Sequence, residues 1–153
     1  MKKTAESVAR AFVAAINRQD VEGLAELMTE GHRFVDSLDN VMEGRETMRA
    51  GWAGYFRMVP DYRVEVEEVY WSARPGNADP SVRPPLRSGL PQDDSSVVVV
   101  LLGRAGGTYA PNGESRAENR WETPVALRAL IVDGLVAEWR VYADNEPMRR
   151  LMR

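Results

Sequence analysis

The sequence predicts an α+β domain, and three observations predict it. Apolar residues recur at helical spacing through the first part of the chain. Later segments alternate apolar and polar residues as half-buried strands do. Between two such segments stands Asp133-Gly134, a strong short-range signal for a tight hairpin. The 153 residues suffice for one domain with a real core. We read 1–153 as a single domain with a long loop insertion near 73–96.

The elements follow in order. Ala5 to Arg18 places Val8, Phe12 and Ile16 on one stripe, with Ala9 and Ala15 beside them, as on a surface helix. Asp20 is a good N-cap for a shorter helix carrying Val21, Leu24, Leu27 and Met28, which Gly31 is expected to end. His32 to Asp36 reads as a short strand, Ser37 to Asn40 as a turn, and Val41-Met42 as the returning strand. Gly44-Arg45-Glu46 opens a third helix. It sets Met48, Trp52, Tyr55, Phe56 and Val59 on one side, and Pro60 stops it.

Tyr62 to Trp71 alternates as a half-buried strand. Ala73 to Ser96 is rich in proline, glycine, serine and aspartate and reads as a long loop. Val97 to Leu102 is a buried strand, and Gly106 to Ser115 a second loop. Trp121 to Val132 and Leu135 to Ala143 flank the hairpin turn. Pro147 to Arg153 is a short tail that can form a helix. Helices gathered before antiparallel strands make an α+β layer.

At this point a resemblance enters. The segments Arg18-Gln19-Asp20-Val21-Glu22-Gly23-Leu24, Leu27-Met28, Phe34-Val35-Asp36 and Gly44-Arg45-Glu46 resemble the nuclear transport factor 2-like superfamily. Within it the chain looks like ketosteroid isomerase-like and SnoaL-like domains. The closing run Gly134 to Tyr142 resembles their last strand. The resemblance implies a cone-shaped, curved antiparallel sheet closed by three helices (the cystatin-like architecture), with a small apolar pocket inside. It also implies a homodimer through the outer sheet face.

Carried over residue by residue, the resemblance puts Asp36 where the isomerases keep their general base, and Trp52 where they place a pocket tyrosine. The two oxyanion donors of the isomerases are replaced by Phe12 and Ala126. Losing one such donor costs about 2.7–4 kcal/mol of barrier, so the usual steroid scheme lacks support.

Asp36 and His32 are the candidate catalytic residues. A carboxylate facing an apolar cavity has its pKa raised by desolvation and could take a proton α to a carbonyl or activate a water. The alternative is that Asp36, at a strand end, bonds the backbone of the turn. Strand alternation puts His32 and Phe34 on the face of Asp36, and imidazole suits acid–base work. Phe12, Ile16, Phe34, Trp52, Tyr55 and Phe56 are candidate pocket or core residues. Trp52 and Tyr55 can also donate hydrogen bonds when buried.

A straight hairpin register opposes Arg128 to Trp139 and Ala126 to Val141. The resemblance turns this face inward, making Arg128 a cavity cation, unless it pairs with an acid such as Glu122. Arg140 and Tyr142 should then lie on the outer face with Val125 and Leu127.

Composition narrows the function. The net charge is −3, with only two lysines, at the N-terminus, so no basic face exists for nucleic acid. Cysteine is absent and histidine occurs once, leaving no ligand cluster for a metal. No cofactor is expected. No segment is long and apolar enough to span a bilayer, so no membrane partner is expected and a cytoplasmic location is the default.

Three functions stay open. One is a cofactor-independent isomerase or cyclase using Asp36 as base on a small enolisable apolar substrate. Another is a non-catalytic ligand-binding or dimerisation domain. The last is a water-activating enzyme like the resembling epoxide hydrolases, whose Asp–Arg–Asp set would need Arg128 and a second acid.

Overall fold

A computed structural model describes residues 4–72, 96–144 and 146–152. The loop expected near 73–96 falls almost wholly outside the described residues.

Helix α1 spans Ala5–Arg18, with Thr4 Oγ1 accepting from the Ser7 N–H as its N-cap. Its apolar stripe is buried as the spacing predicts: Val8, Ala9, Phe12, Ala15 and Ile16. Helix α2 is short, Val21–Glu26, and Asp20 caps it by accepting from the Gly23 N–H at 2.9 Å. The helix was expected to run on to Gly31. Instead strand β1, Met28–Val35, begins at once. Backbone pairing with the last strand takes over: the Val136 N–H donates to the Leu27 carbonyl, and Met28 aligns with Val136. Val41–Glu43 forms β2, and Arg45–Met58 forms α3, which buries Met48, Trp52 and Phe56.

The remaining strands are β3 (Arg63–Ser72), β4 (Val97–Thr108), β5 (Arg120–Val132) and β6 (Leu135–Ala143). A single 3-10 turn, Ala117–Asn119, precedes β5, and a short helix α4, Glu146–Met152, ends the described chain. Strand β4 was expected to stop at Leu102 but runs through Gly106 and Gly107 to Thr108. Two bonds to Asp61 anchor its far end, from the Thr108 N–H at 2.6 Å and the Thr108 hydroxyl at 2.8 Å. A Cβ on Gly103 would overlap the Glu65 carbonyl oxygen of β3, so close strand approach demands glycine there.

The six strands form one curved sheet in the order β2-β1-β6-β5-β4-β3. Strands β3 to β6 are a meander of antiparallel neighbours, as expected. One pairing departs from the expected antiparallel sheet: β1 lies parallel to β6. Local sequence signals predict hairpins, whereas this contact joins distant segments. Helices α1 and α3 cover the concave face, and their stripes merge with Val64, Leu101, Val125, Leu127 and Trp139 into one core. The result is the α+β cone, its sheet left open as a curved layer.

The β5–β6 hairpin settles which side chains face inward. Asp133 (φ 52°) and Gly134 (φ 79°) make the tight turn, as the Asp-Gly signal requires. The register then shifts by one residue, because Val136 pairs with Ile131 but Glu138 pairs with Leu130. Ala137 is the extra residue of a β-bulge. Beyond it Trp139 faces Ala129, Val141 faces Leu127, Arg140 faces Arg128 and Tyr142 faces Ala126.

Candidate functional site

Between the helices and the concave sheet lies a cavity of about 630 Å³, within the range of small-molecule sites. Its walls come from three sources. Helix α3 supplies Met48, Trp52, Tyr55 and Met58, while β1 supplies Phe34 and Asp36 follows directly after its end. The sheet supplies Val64, Ala105, Trp121, Thr123, Val125, Leu127, Trp139 and Val141. Leu38, Met42 and Met58 line the cavity yet are exposed, so they mark its mouth. Arg149, on α4, also lines it.

Asp36 is at this cavity, but its oxygens are engaged. Oδ1 accepts from the Leu38 and Asn40 N–H groups, each at 2.9 Å, and Oδ2 accepts from the Asn40 side chain at 3.1 Å. Partial burial pushes the carboxyl upward, but these bonds outweigh it and hold it below the usual carboxylate range. The expected raised pKa is therefore corrected: hydrogen bonds to the charged form win over modest desolvation. The turn is also tied from the sheet, where Arg140 reaches Asp39 at 3.2 Å and Glu138 at 3.4 Å.

His32 is fully buried and lies in the core beside Phe12, ring centroids 6.0 Å apart, and it is not among the residues lining the cavity. Its Nδ1 lies 2.7 Å from the Val136 carbonyl oxygen. A carbonyl only accepts, so Nδ1 carries the proton. Burial drives the imidazole pKa down, against smaller upward pulls from that carbonyl and from Glu138. The ring is therefore neutral at ordinary pH.

Of the other expected pocket residues, Ile16, Phe34, Trp52, Tyr55, Trp139 and Val141 do line the cavity. Phe12 and Phe56 stand behind it, packed on Trp139 and Trp52. Ala126 and Arg128 are corrections. The bulge at Ala137 places them opposite Tyr142 and Arg140 on the outer face, while Val125 and Leu127 turn inward. Neither inward residue offers the carboxyl that the isomerases use as a donor.

Sequence reasoning missed Tyr62, Trp121, Thr123 and Arg149. The parity of β5 would have found Trp121 and Thr123 once the bulge was known. Tyr62 and Tyr55 meet edge to face at 5.0 Å, and Tyr62 and Trp121 lie 6.1 Å apart. Burial raises both phenols, Tyr62 to about 12 and Tyr55 further, so both are neutral at ordinary pH. The indole N–H groups of Trp52 and Trp121 are buried without a hydrogen-bond partner among the described residues. The polar groups inside are thus mostly neutral donors set among apolar walls. No group of three or more potential metal ligands occurs among the described residues, and no described helix is long and apolar enough to cross a membrane.

Helices laid over the concave face of a curved mixed sheet, with an apolar cavity between, define a nuclear transport factor 2-like domain. The comparisons agree. The family model described as the SnoaL-like domain matches residues 9–139, and the chain belongs to that family. Comparison with the curated proteins gives no match.

Solved structures share the fold at low identity. A candidate SnoaL-like polyketide cyclase from Shewanella denitrificans is 14% identical, with a TM-score of 0.68, covering 96% of this chain and 95% of that one. Bal32a, from a soil-derived mobile gene cassette, is 17% identical with a TM-score of 0.67, covering 97% and 95%. A protein of ketosteroid isomerase-like fold from Catenulispora acidiphila, in complex with trimethylamine, is 18% identical with a TM-score of 0.62, covering 91% and 86%.

Proposed function

We propose that this domain binds an apolar small molecule in the cavity between α3 and the sheet, and that binding, not proton transfer, is its primary task. One observation carries the reading: the cavity is apolar and roomy, while the one carboxylate among its described lining residues, Asp36, is bonded into a turn. A base whose charge is already satisfied has little driving force to take a proton. His32 lies in the core and Arg128 on the outer face, which removes support from the Asp–Arg–Asp hydrolase reading.

The catalytic reading keeps one observation in its favour, since Asp36 does line the cavity. In that reading Asp36 abstracts a proton α to a ligand carbonyl and the neutral phenols of Tyr55 and Tyr62 stabilise the enolate. One aryl ketone, 2-acetylnaphthalene, tests both readings. Binding should quench the fluorescence of Trp52, Trp121 and Trp139, and Val141→Trp should fill the cavity and abolish it with the fold intact. Quenching that survives Val141→Trp would move the site elsewhere. Exchange of the ketone's methyl protons in D2O, lost in Asp36→Asn, would favour the catalytic reading instead.

We further propose that two copies pair through the outer sheet face, in the cytoplasm. The rows Leu102–Ala126–Tyr142 and Val100–Arg128–Arg140 run across it, and Tyr70 and Tyr142 on that face are exposed. Val100→Asp should turn a dimer into a monomer in sedimentation velocity.

A further inference from the structure

We infer that the ligand is an apolar acid, its body in the cavity and its carboxylate held at the rim by Arg149. The inference rests on the binding reading above and adds the chemical class of the ligand. Its basis is the distribution of charge around the cavity. Among the described lining residues only Asp36 and Arg149 carry charge. The acid is satisfied by three hydrogen bonds within its own turn. Arg149 has no ion pair among the described residues, whereas its neighbour Arg150 bonds Glu146 of the same helix at 3.4 Å.

Placement supports the same conclusion. Helix α4 packs on β5, and Arg149 lines the same cavity as the apolar Val141, Ala143, Val125 and Leu127. A guanidinium beside apolar surface matches a carboxylate in geometry and charge. Inside, the neutral groups Tyr55, Tyr62, Trp52 and Trp121 line the cavity and set no negative charge against an anionic ligand's oxygens. Arg149 thus takes the role that the straight hairpin register would have assigned to Arg128.

Three compounds and two variants test this. 2-Naphthylacetic acid, its methyl ester and 2-acetylnaphthalene are titrated by tryptophan fluorescence at low and high salt. The acid should bind about tenfold more tightly than the ester, the scale of one good charge-assisted contact, and salt should erode the difference. Arg149→Gln should remove the preference by lowering the acid's affinity to that of the ester. Arg150→Gln should alter neither. Equal binding of acid and ester to the unaltered protein overturns the inference while the cavity reading stands. Failure of all three compounds to bind overturns both.

Discussion

Asp36 and Asn40 are joined at both backbone and side chain. The Asp36 N–H donates to the Asn40 carbonyl at 3.0 Å, and the Asn40 N–H and side-chain amide return two bonds to the Asp36 carboxylate. This closes a turn at the cavity mouth and fixes the charge of the acid. Asn40→Ala should raise the Asp36 pKa towards the ordinary carboxylate value and cost about 1 kcal/mol of stability. Carboxyl titration by NMR and thermal unfolding measure the two effects. An unchanged Asp36 titration would mean that the side-chain bond from Asn40 is not part of what holds it down.

His32 should make the fold acid-labile. Its folded pKa lies below the unfolded value of about 6.5, so the unfolded chain binds the proton more readily. The contribution is complete above that pH and declines as pH falls from there towards the folded pKa. Urea midpoints from pH 7.5 down to 5 should therefore drop. In His32→Gln, whose amide can still donate to the Val136 carbonyl, the slope through this window should flatten.

Tyr62 gives the opposite sign. Its folded pKa is raised to about 12 against about 10 unfolded. The stability from keeping the phenol neutral is complete below pH 10 and is lost as pH climbs towards 12. In an absorbance titration of the five tyrosines, Tyr62 and Tyr55 should ionise last, together with unfolding. Tyr62→Phe should remove one late step.

Gly103 should not tolerate a side chain. An alanine methyl there would overlap the Glu65 carbonyl oxygen on β3, which the sheet cannot move without breaking the β3–β4 ladder. Gly103→Ala should cost about 3 kcal/mol, visible as a lowered urea midpoint. Gly31→Ala, where a Cβ meets open space, should cost far less.

Much of the architecture was legible because it is written in local patterns. The α1 stripe from Val8 to Ile16, the Asp20 cap and the Asp133-Gly134 turn each act over a few residues, and each appears where the pattern put it. The site was less legible, because its geometry depends on features without local signatures. A single bulge at Ala137 inverts the facing of Ala126 and Arg128 against Val125 and Leu127, since side chains alternate with a period of two. Strand alternation put His32, Phe34 and Asp36 on one face and the resemblance put Asp36 in the pocket, but neither could foresee that β1 carries His32 under α1, against Phe12. Arg149 sits on a terminal helix whose docking on β5 is a tertiary event that composition does not announce.

The parallel contact of β1 with β6 also governs the order in which the molecule can be assembled. On the ribosome, β1 emerges well before β6 and must wait until α3 and strands β2 to β5 have been made before that neighbour exists. Until then its edge is bare, and such edges invite aggregation. Because the pairing spans so much chain, folding should be slow for a protein of this size. Fragments ending before Leu135 should be insoluble, since both β1 and β5 would be left without a strand between them.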